Sequence, residues 1–180
     1  MLLDFKYVEF FVANAKQASH FYRSIFGFTG HAYSGPETGN EEFVSYVLKQ
    51  NKIFFVLTTA LSQDHEISKW VRKHGDGVSE IAFASDSVMD DYNYAVNNGA
   101  SSSDKYTELA DSDGIYKIAS VKTYGKVIHS FVDDGQYDGI WKPGYMNYSP
   151  EDVPGNKTNL LLVDHIVGNV EDNKMNDWID

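Results

Sequence analysis

The same order of predicted elements occurs twice in this chain of 180 residues. In the first half, residues 5–13 are rich in aromatic and β-branched side chains, which favours a strand. Asn14 then offers a helix N-cap, apolar residues recur at helical spacing after it, and Gly27 ends the helix. Strand-like segments follow at 28–34, 42–49 and 52–59. The first unit therefore has the order βαβββ.

The second half repeats this order. After a predicted helix at 63–74, residues 78–84 form a strand and residues 87–98 a helix that Gly99 closes. Strand-like segments follow near 104–109, 115–123 and 127–132. The second unit is therefore also a βαβββ unit.

Two incomplete sheets in one chain predict that the units pair with each other. We expect an α+β fold in which units 1–77 and 78–134 form one curved, mostly antiparallel sheet with helices on its outside. Together the units make an N-terminal domain over residues 1–134.

Composition excludes several classes of partner. The net charge is −11, from 15 basic and 26 acidic side chains, so nothing attracts this surface to phosphate backbones or anionic lipid. There are no cysteines, which excludes disulfides and thiolate metal sites and fits a reducing compartment. No run approaches the roughly 18 apolar residues of a membrane span. We expect a cytoplasmic protein with no nucleic-acid or membrane partner.

The composition changes after the second unit. Residues 135–159 hold three of the four prolines, which predicts a linker or covering loop. Residues 160–167 predict a strand that is apolar on both faces, and a helical pattern begins in the last ten residues. We expect residues 160–180 to be the truncated start of a second domain.

His165 lies in this apolar strand, directly after Asp164. A neutral imidazole in an apolar setting is suited to binding a divalent metal ion. A buried histidine that is hydrogen-bonded to its surroundings explains the same pattern, so the residues alone leave both interpretations open.

Several segments, in order, resemble the 4-hydroxyphenylpyruvate dioxygenase family of the vicinal-oxygen-chelate superfamily. They are VEFFVANAKQASHFYRSIFGF (8–28), SYVLKQNKIFFVLT (45–58), KHGDGVSEIAF (73–83), KPGY (142–145), VDHIVGNV (163–170) and KMNDW (174–178). The resemblance spans nearly the whole chain. It implies two tandem domains, each built from two βαβββ units, with the catalytic iron in the C-terminal domain.

The resemblance also implies a site and a reaction. The DHIVGNV match makes His165 the first of three Fe(II) ligands, and the other two have no counterpart in this chain. The family converts 4-hydroxyphenylpyruvate and O2 to homogentisate and CO2 in tyrosine catabolism, and the full-length protein is expected to be a homo-oligomer. We expect no catalytic residue within these 180 residues and no turnover by this chain alone.

The N-terminal domain also contains residues at ligand-like positions. Aligning FKYVEFFV with VDHIVGNV places Tyr7 where His165 stands, and Glu80 and His129 take the other two places. This set is a poor first shell for Fe(II), so we interpret it as a metal site that has been lost.

Two other functions remain open. Hydroxymandelate synthase uses the same substrate and metal, and the residues that separate it from the dioxygenase are not in this chain. A non-catalytic binding or interaction module is the other alternative, although an exposed LLLVDHIV strand is a liability for a small soluble protein.

Overall fold

The computed structural model describes residues 1–150 and 158–179. Its strands are β1 (Leu2–Phe11), β2 (Thr29–Ser34), β3 (Phe43–Gln50), β4 (Ile53–Ala60), β5 (Gly77–Ser85), β6 (Ser102–Asp111), β7 (Gly114–Lys122), β8 (Ile128–Tyr137) and β9 (Met146–Asn147). Its helices are α1 (Ala15–Phe26), α2 (Glu66–His74), α3 (Val88–Asn97) and α4 (Met175–Ile179). By length and hydropathy, the helices in the described residues all fall short of a transmembrane span.

The strands form one curled sheet in the order β6-β7-β8-β5-β1-β4-β3-β2-β9. In the first unit β1 is parallel to β4, and in the second unit β5 is parallel to β8. The antiparallel pair β1–β5 joins the units, and the remaining pairs are also antiparallel. The predicted fold, two paired βαβββ units in a curved sheet, is confirmed.

Helix α1 begins and ends at the residues that the sequence predicted. The Asn14 side chain accepts a hydrogen bond from the Gln17 N–H at 3.0 Å, which satisfies one of the free donors of the first turn. Gly27 closes the helix with φ 73°, a left-handed conformation that glycine adopts without steric cost. The sharp end directs the chain into β2.

The helices cover the outer face of the sheet. Helix α1 packs on β3 and β4, and α3 packs on β7 and β8. The concave inner face has its own core, made from both units: Tyr7, Ala32, Val47, Val56, Ala82, Tyr116, Val132 and Trp141.

The segment after β8 closes the concave face, and we call residues 138–148 the covering segment. Trp141 inserts its indole against the inner core and is only 7% exposed. Met146 and Asn147 then pair with β2. The described part of the predicted linker or covering loop is thus a cover for the interior.

The strand predicted at 160–167 is not formed, which corrects that expectation. The described residues 158–170 contain no strand, and Leu161 is 65% exposed. One backbone bond, from the Lys52 N–H to the Leu161 carbonyl at 3.0 Å, fastens the segment to the β3–β4 turn. A strand needs a neighbour for its backbone groups, and the described residues offer none along 162–167.

Candidate functional site

His165 lies in the exposed, irregular segment 158–170. Its side chain is 75% exposed, and its Nδ1 lies 2.7 Å from Oδ2 of Asp164. When Nδ1 donates to this carboxylate, Nε2 keeps its lone pair and faces away from Asp164. In the described part of the chain, no group of three histidine, aspartate or glutamate side chains is placed to hold a metal ion. The role of His165 as a metal ligand stays a prediction.

The structure brings Tyr7 and Glu80 together but not His129. The Tyr7 hydroxyl donates to Oε1 of Glu80 at 2.7 Å inside the concave face. His129 is opposite Ile81 and Val121 in the ladder and lies against the ring of Phe83, with centroids 5.4 Å apart. It therefore points to the outer face, and the grouping of Tyr7, Glu80 and His129 is wrong.

Strand periodicity explains the error. Neighbouring residues of a strand point to opposite faces, and on β8 the residues that enter the inner face are Ser130 and Val132. His129 is the neighbour of Ser130 on the strand, so it points to the opposite face. Burial lowers the pKa of its imidazole, and its Nε2 has no hydrogen-bond partner among the described residues.

Glu9 is a functional-site candidate that the sequence analysis missed. It lies directly opposite Glu80 in the β1–β5 ladder, so two carboxyl groups meet where the two units join. The Thr58 hydroxyl donates to Oε1 of Glu9 and lies 3.0 Å from the Ser45 hydroxyl. Glu9 and Glu80 occupy matching places in VEFF and SEIA of the two units, and this signal in the repeat was available to find them.

The carboxyl pair has a strongly altered proton affinity. Burial, and then the neighbouring Glu80 carboxylate, raises the pKa of Glu9 to about 8. Burial and then Glu80 also raise the pKa of Tyr7. Glu9 is thus mainly protonated at neutral pH, so the two carboxyl groups are not both charged.

The covering segment brings a positive charge to this pair. Burial alone lowers the pKa of Lys142, but Tyr145, Tyr116 and the two glutamates outweigh it and raise the pKa above its usual value. Lys142 therefore stays an ammonium group, and it lowers the pKa of Glu9 in return. We call Tyr7, Glu9, Thr58, Glu80, Tyr116 and Lys142 the interior cluster.

This chain resembles known proteins both in sequence and in fold. No family model matches the chain. The 4-hydroxyphenylpyruvate dioxygenase of Dictyostelium discoideum is 39% identical over 176 residues, which is 95% of this chain and 48% of the relative. That of Danio rerio is 39% identical over 190 aligned positions, 98% of this chain and 46% of the relative. By sequence, this chain is a homologue of an N-terminal portion of the 4-hydroxyphenylpyruvate dioxygenases.

This dioxygenase homologue spans about half the length of the curated relatives it matches. Among solved structures, a triply substituted 4-hydroxymandelate synthase from Streptomyces coelicolor superposes with a TM-score of 0.83 at 26% identity, over 98% of this chain and 50% of that one. A substituted methylmalonyl-CoA epimerase from Streptomyces coelicolor, 22% identical, gives a TM-score of 0.59 over 73% of this chain and 97% of its own. The latter likeness shows the fold alone.

Proposed function

We propose that these 180 residues are the N-terminal part of a protein that converts 4-hydroxyphenylpyruvate and O2 to homogentisate and CO2 with Fe(II). The observation that carries this proposal is the 39% identity to a 4-hydroxyphenylpyruvate dioxygenase over 95% of the chain. Since 48% of that relative is covered, the activity belongs to a protein longer than the part described here.

The proposed role of residues 1–134 is structural. The concave face carries a core of buried side chains from both units, and Trp141 packs over it, which is typical of a packed interior that supports the fold. We propose that residues 135–159 are the linker and that 160–180 begin the catalytic domain. The exposed leucines of the latter segment support this, because apolar side chains at Leu160, Leu161 and Leu162 need a partner to cover them.

The side chains available near His165 decide whether the implied Fe(II) ion fits the described residues. His165 offers one imidazole, and no second histidine or carboxylate of the described residues converges with it beyond Asp164, which is bonded to Nδ1. One imidazole neither fixes the geometry of Fe(II) nor competes well with water for it. The described residues therefore do not make an iron site by themselves, and we propose that His165 supplies one ligand of a site completed by polypeptide outside them.

The same proposal covers the partners, the oligomeric state and the compartment of the full-length protein. A small-molecule substrate and O2 are its partners, and a homo-oligomer in the cytoplasm is its expected state. The absence of cysteine from all 180 residues supports a reducing compartment.

The test compares the 180-residue chain with the protein read from its coding sequence beyond the codon for Asp180. We expect the longer protein, loaded with Fe(II), to consume O2 and release homogentisate, and the short chain to do neither. In the longer protein, His165→Ala is expected to lower turnover by about 100-fold or more, because a three-ligand site loses one ligand. His20→Ala, an exposed histidine on α1, is the matched control and should leave turnover unchanged.

Hydroxymandelate synthase is the second candidate, favoured by the superposition with a TM-score of 0.83. Its identity to this chain, 26%, is lower than the 33–39% of the curated dioxygenases. Product analysis separates the two, since hydroxymandelate instead of homogentisate would replace the first proposal by the second. A coding sequence that stops at Asp180 would contradict both.

A further inference from the structure

We infer that the turn between β3 and β4 positions the chain segment that leads to His165. Three consecutive residues at this turn, Gln50, Asn51 and Lys52, hold residues 158–161 by hydrogen bonds, and we call them the anchoring turn. The inference rests on the proposed function, in which His165 supplies one ligand of a site completed outside the described residues. The three are positioning residues, since they act on that site only through the segment.

Two residues of the anchoring turn donate hydrogen bonds to backbone carbonyls of the segment. The side-chain Nδ2 of Asn51 donates to the Leu160 carbonyl at 2.6 Å, and the Lys52 N–H donates to the Leu161 carbonyl at 3.0 Å. The side chains of Leu160 and Leu161 are exposed, so burial of apolar surface contributes little to holding this part of the segment. The hydrogen bonds to its backbone therefore fix its position.

Gln50 joins the segment to the end of helix α1. Its Nε2 donates to the Phe26 carbonyl at 2.9 Å and to the Gly27 carbonyl at 3.0 Å, and it lies 3.3 Å from the Thr158 hydroxyl oxygen. The Thr158 hydroxyl in turn donates to the Phe26 carbonyl. The last carbonyls of a helix have no partner within the helix, so these bonds satisfy acceptors that the helix leaves open. The segment, the turn and the helix end are thus joined at one place.

The shape of the turn makes these donors available. Asn51 and Lys52 connect Gln50 to Ile53, which are the last partners in the β3–β4 ladder. Residues between paired strand ends have no ladder partner, so the Lys52 N–H is free to bind the segment. Asn51 has φ 51°, a left-handed conformation that asparagine tolerates better than most residues. One residue thus forms the turn and also supplies a side-chain donor.

The anchored part of the segment ends two residues before His165. Val163 is partly buried and packs against the outer core that contains Phe28 and Leu48. Two residues of chain span at most about 7 Å, so this anchor limits where the backbone of His165 can lie. A displacement of about 1 Å in a catalytic site can lower the rate about 100-fold. The anchoring turn therefore acts on the proposed site without touching it.

The experiment measures the backbone order of residues 160–165 in the 180-residue chain by heteronuclear NOE, together with the exchange rate of the Lys52 amide. Asn51→Asp keeps the shape and the left-handed turn but replaces the donor by an acceptor that faces the Leu160 carbonyl. We expect lower NOE values over residues 160–165 and Lys52 exchange about fivefold faster, as for the loss of one hydrogen bond. Asn173→Asp makes the same change at another exposed left-handed residue, with φ 63°, and should alter neither quantity.

A second variant and the longer protein complete the test. Asn51→Gly keeps the left-handed turn and adds no charge, so it should loosen the segment as Asn51→Asp does. In the longer protein loaded with Fe(II), both variants are expected to lower kcat about tenfold or more while KM changes less than about twofold, because the geometry of the site changes and its substrate contacts do not. Asn93→Asp, at an exposed position on α3, is the control and should leave both constants unchanged.

Two results would overturn the inference. One is a set of NOE values over residues 160–165 that stays the same in Asn51→Asp, Asn51→Gly and the unsubstituted chain. The other is an unchanged kcat in a longer protein whose segment the substitution has loosened. If the unsubstituted longer protein makes no homogentisate, the proposed function fails instead, and the NOE and exchange data of the 180-residue chain then decide whether the turn positions His165.

Discussion

At the scale of single residues, the carboxyl pair of Glu9 and Glu80 is the most unusual feature of the chain. Two glutamates are placed opposite each other in a ladder, where like charges destabilise a sheet. The Tyr7 and Thr58 hydroxyls, the proton that Glu9 retains and the Lys142 ammonium group offset this cost. The pair is tolerated because it does not carry two charges at neutral pH.

The raised pKa of Glu9 predicts a specific pH dependence of stability. Its folded-state pKa is about 8 against an ordinary value of 4.5, so the folded chain holds a proton that the unfolded chain releases. Its contribution is fully present below the ordinary pKa and is lost as the pH rises towards about 8. Over this window the free energy of unfolding should fall by up to about 1.4 kcal/mol per pH unit.

Urea unfolding between about pH 5 and about pH 8 measures this slope. Glu9→Gln, which keeps the shape and cannot ionise, should flatten it. Glu108→Gln on the exposed strand β6 is the control and should leave the slope as it is. An equal slope in the Glu9→Gln chain would contradict the assignment of the shifted group.

At the scale of elements, capping residues set where a helix begins and ends. Packing of its apolar face against the sheet then stabilises the helix. Helix α1 has both a side-chain cap and a left-handed glycine, and its inner face joins a core with Phe28, Leu48 and Leu57. Helix α4, by contrast, has five residues, and Trp178 contacts Tyr124 at a ring distance of 6.0 Å. A helix this short depends on such contacts, because nucleation is costly.

The N-cap of α1 supplies a prediction at this scale. Asn14→Ala removes the acceptor for the Gln17 N–H and should lower the free energy of unfolding by about 1 kcal/mol. Asn93→Ala, at an exposed position inside α3, makes the same chemical change without a cap and should cost nothing, since alanine favours a helix interior. Chemical denaturation of both variants measures the difference. Equal losses would mean that the cap contributes nothing.

At the scale of the whole molecule, the two units act as one body because β1 and β5 pair along most of their length. The inner core draws on both units and on the covering segment, where Trp141 packs on Tyr7 and Phe54 with ring distances of 5.5 and 5.2 Å. The covering segment therefore stabilises the fold, in addition to its proposed role within the linker 135–159.

This role of the cover is testable with Trp141→Ala. Removing a buried indole leaves a cavity over the inner core and should lower the free energy of unfolding by about 3 to 5 kcal/mol. Trp178→Ala removes the same side chain from α4, where it is 49% exposed, and should cost about 1 kcal/mol or less. Thermal and urea unfolding compare the two. A loss for Trp141→Ala no larger than that for Trp178→Ala would mean that the cover does not stabilise the sheet.

The order of elements, the caps of α1 and the pairing of two βαβββ units followed from the amino-acid sequence alone. Hydrophobic periodicity and capping residues are local signals, and a repeat restricts how two half-sheets combine. The prediction of a strand at 160–167 was wrong because it rested on a local signal alone. Its apolar pattern is genuine, but a strand also needs a partner, and pairing is not a local property.

Apart from the repeat signal that marks Glu9 and Glu80, only the tertiary structure decided which polar and charged side chains meet. Alternation along β8 shows that His129 and Ser130 point to opposite faces, but the ladder register determines that His129 faces outward. The Tyr7–Glu80 bond spans 73 positions, and Lys142 reaches the same interior from the covering segment. Such contacts depend on the curl of the sheet and on the path of the covering segment. Both arise from the packing of the whole chain, and neither produces a periodic pattern in the sequence.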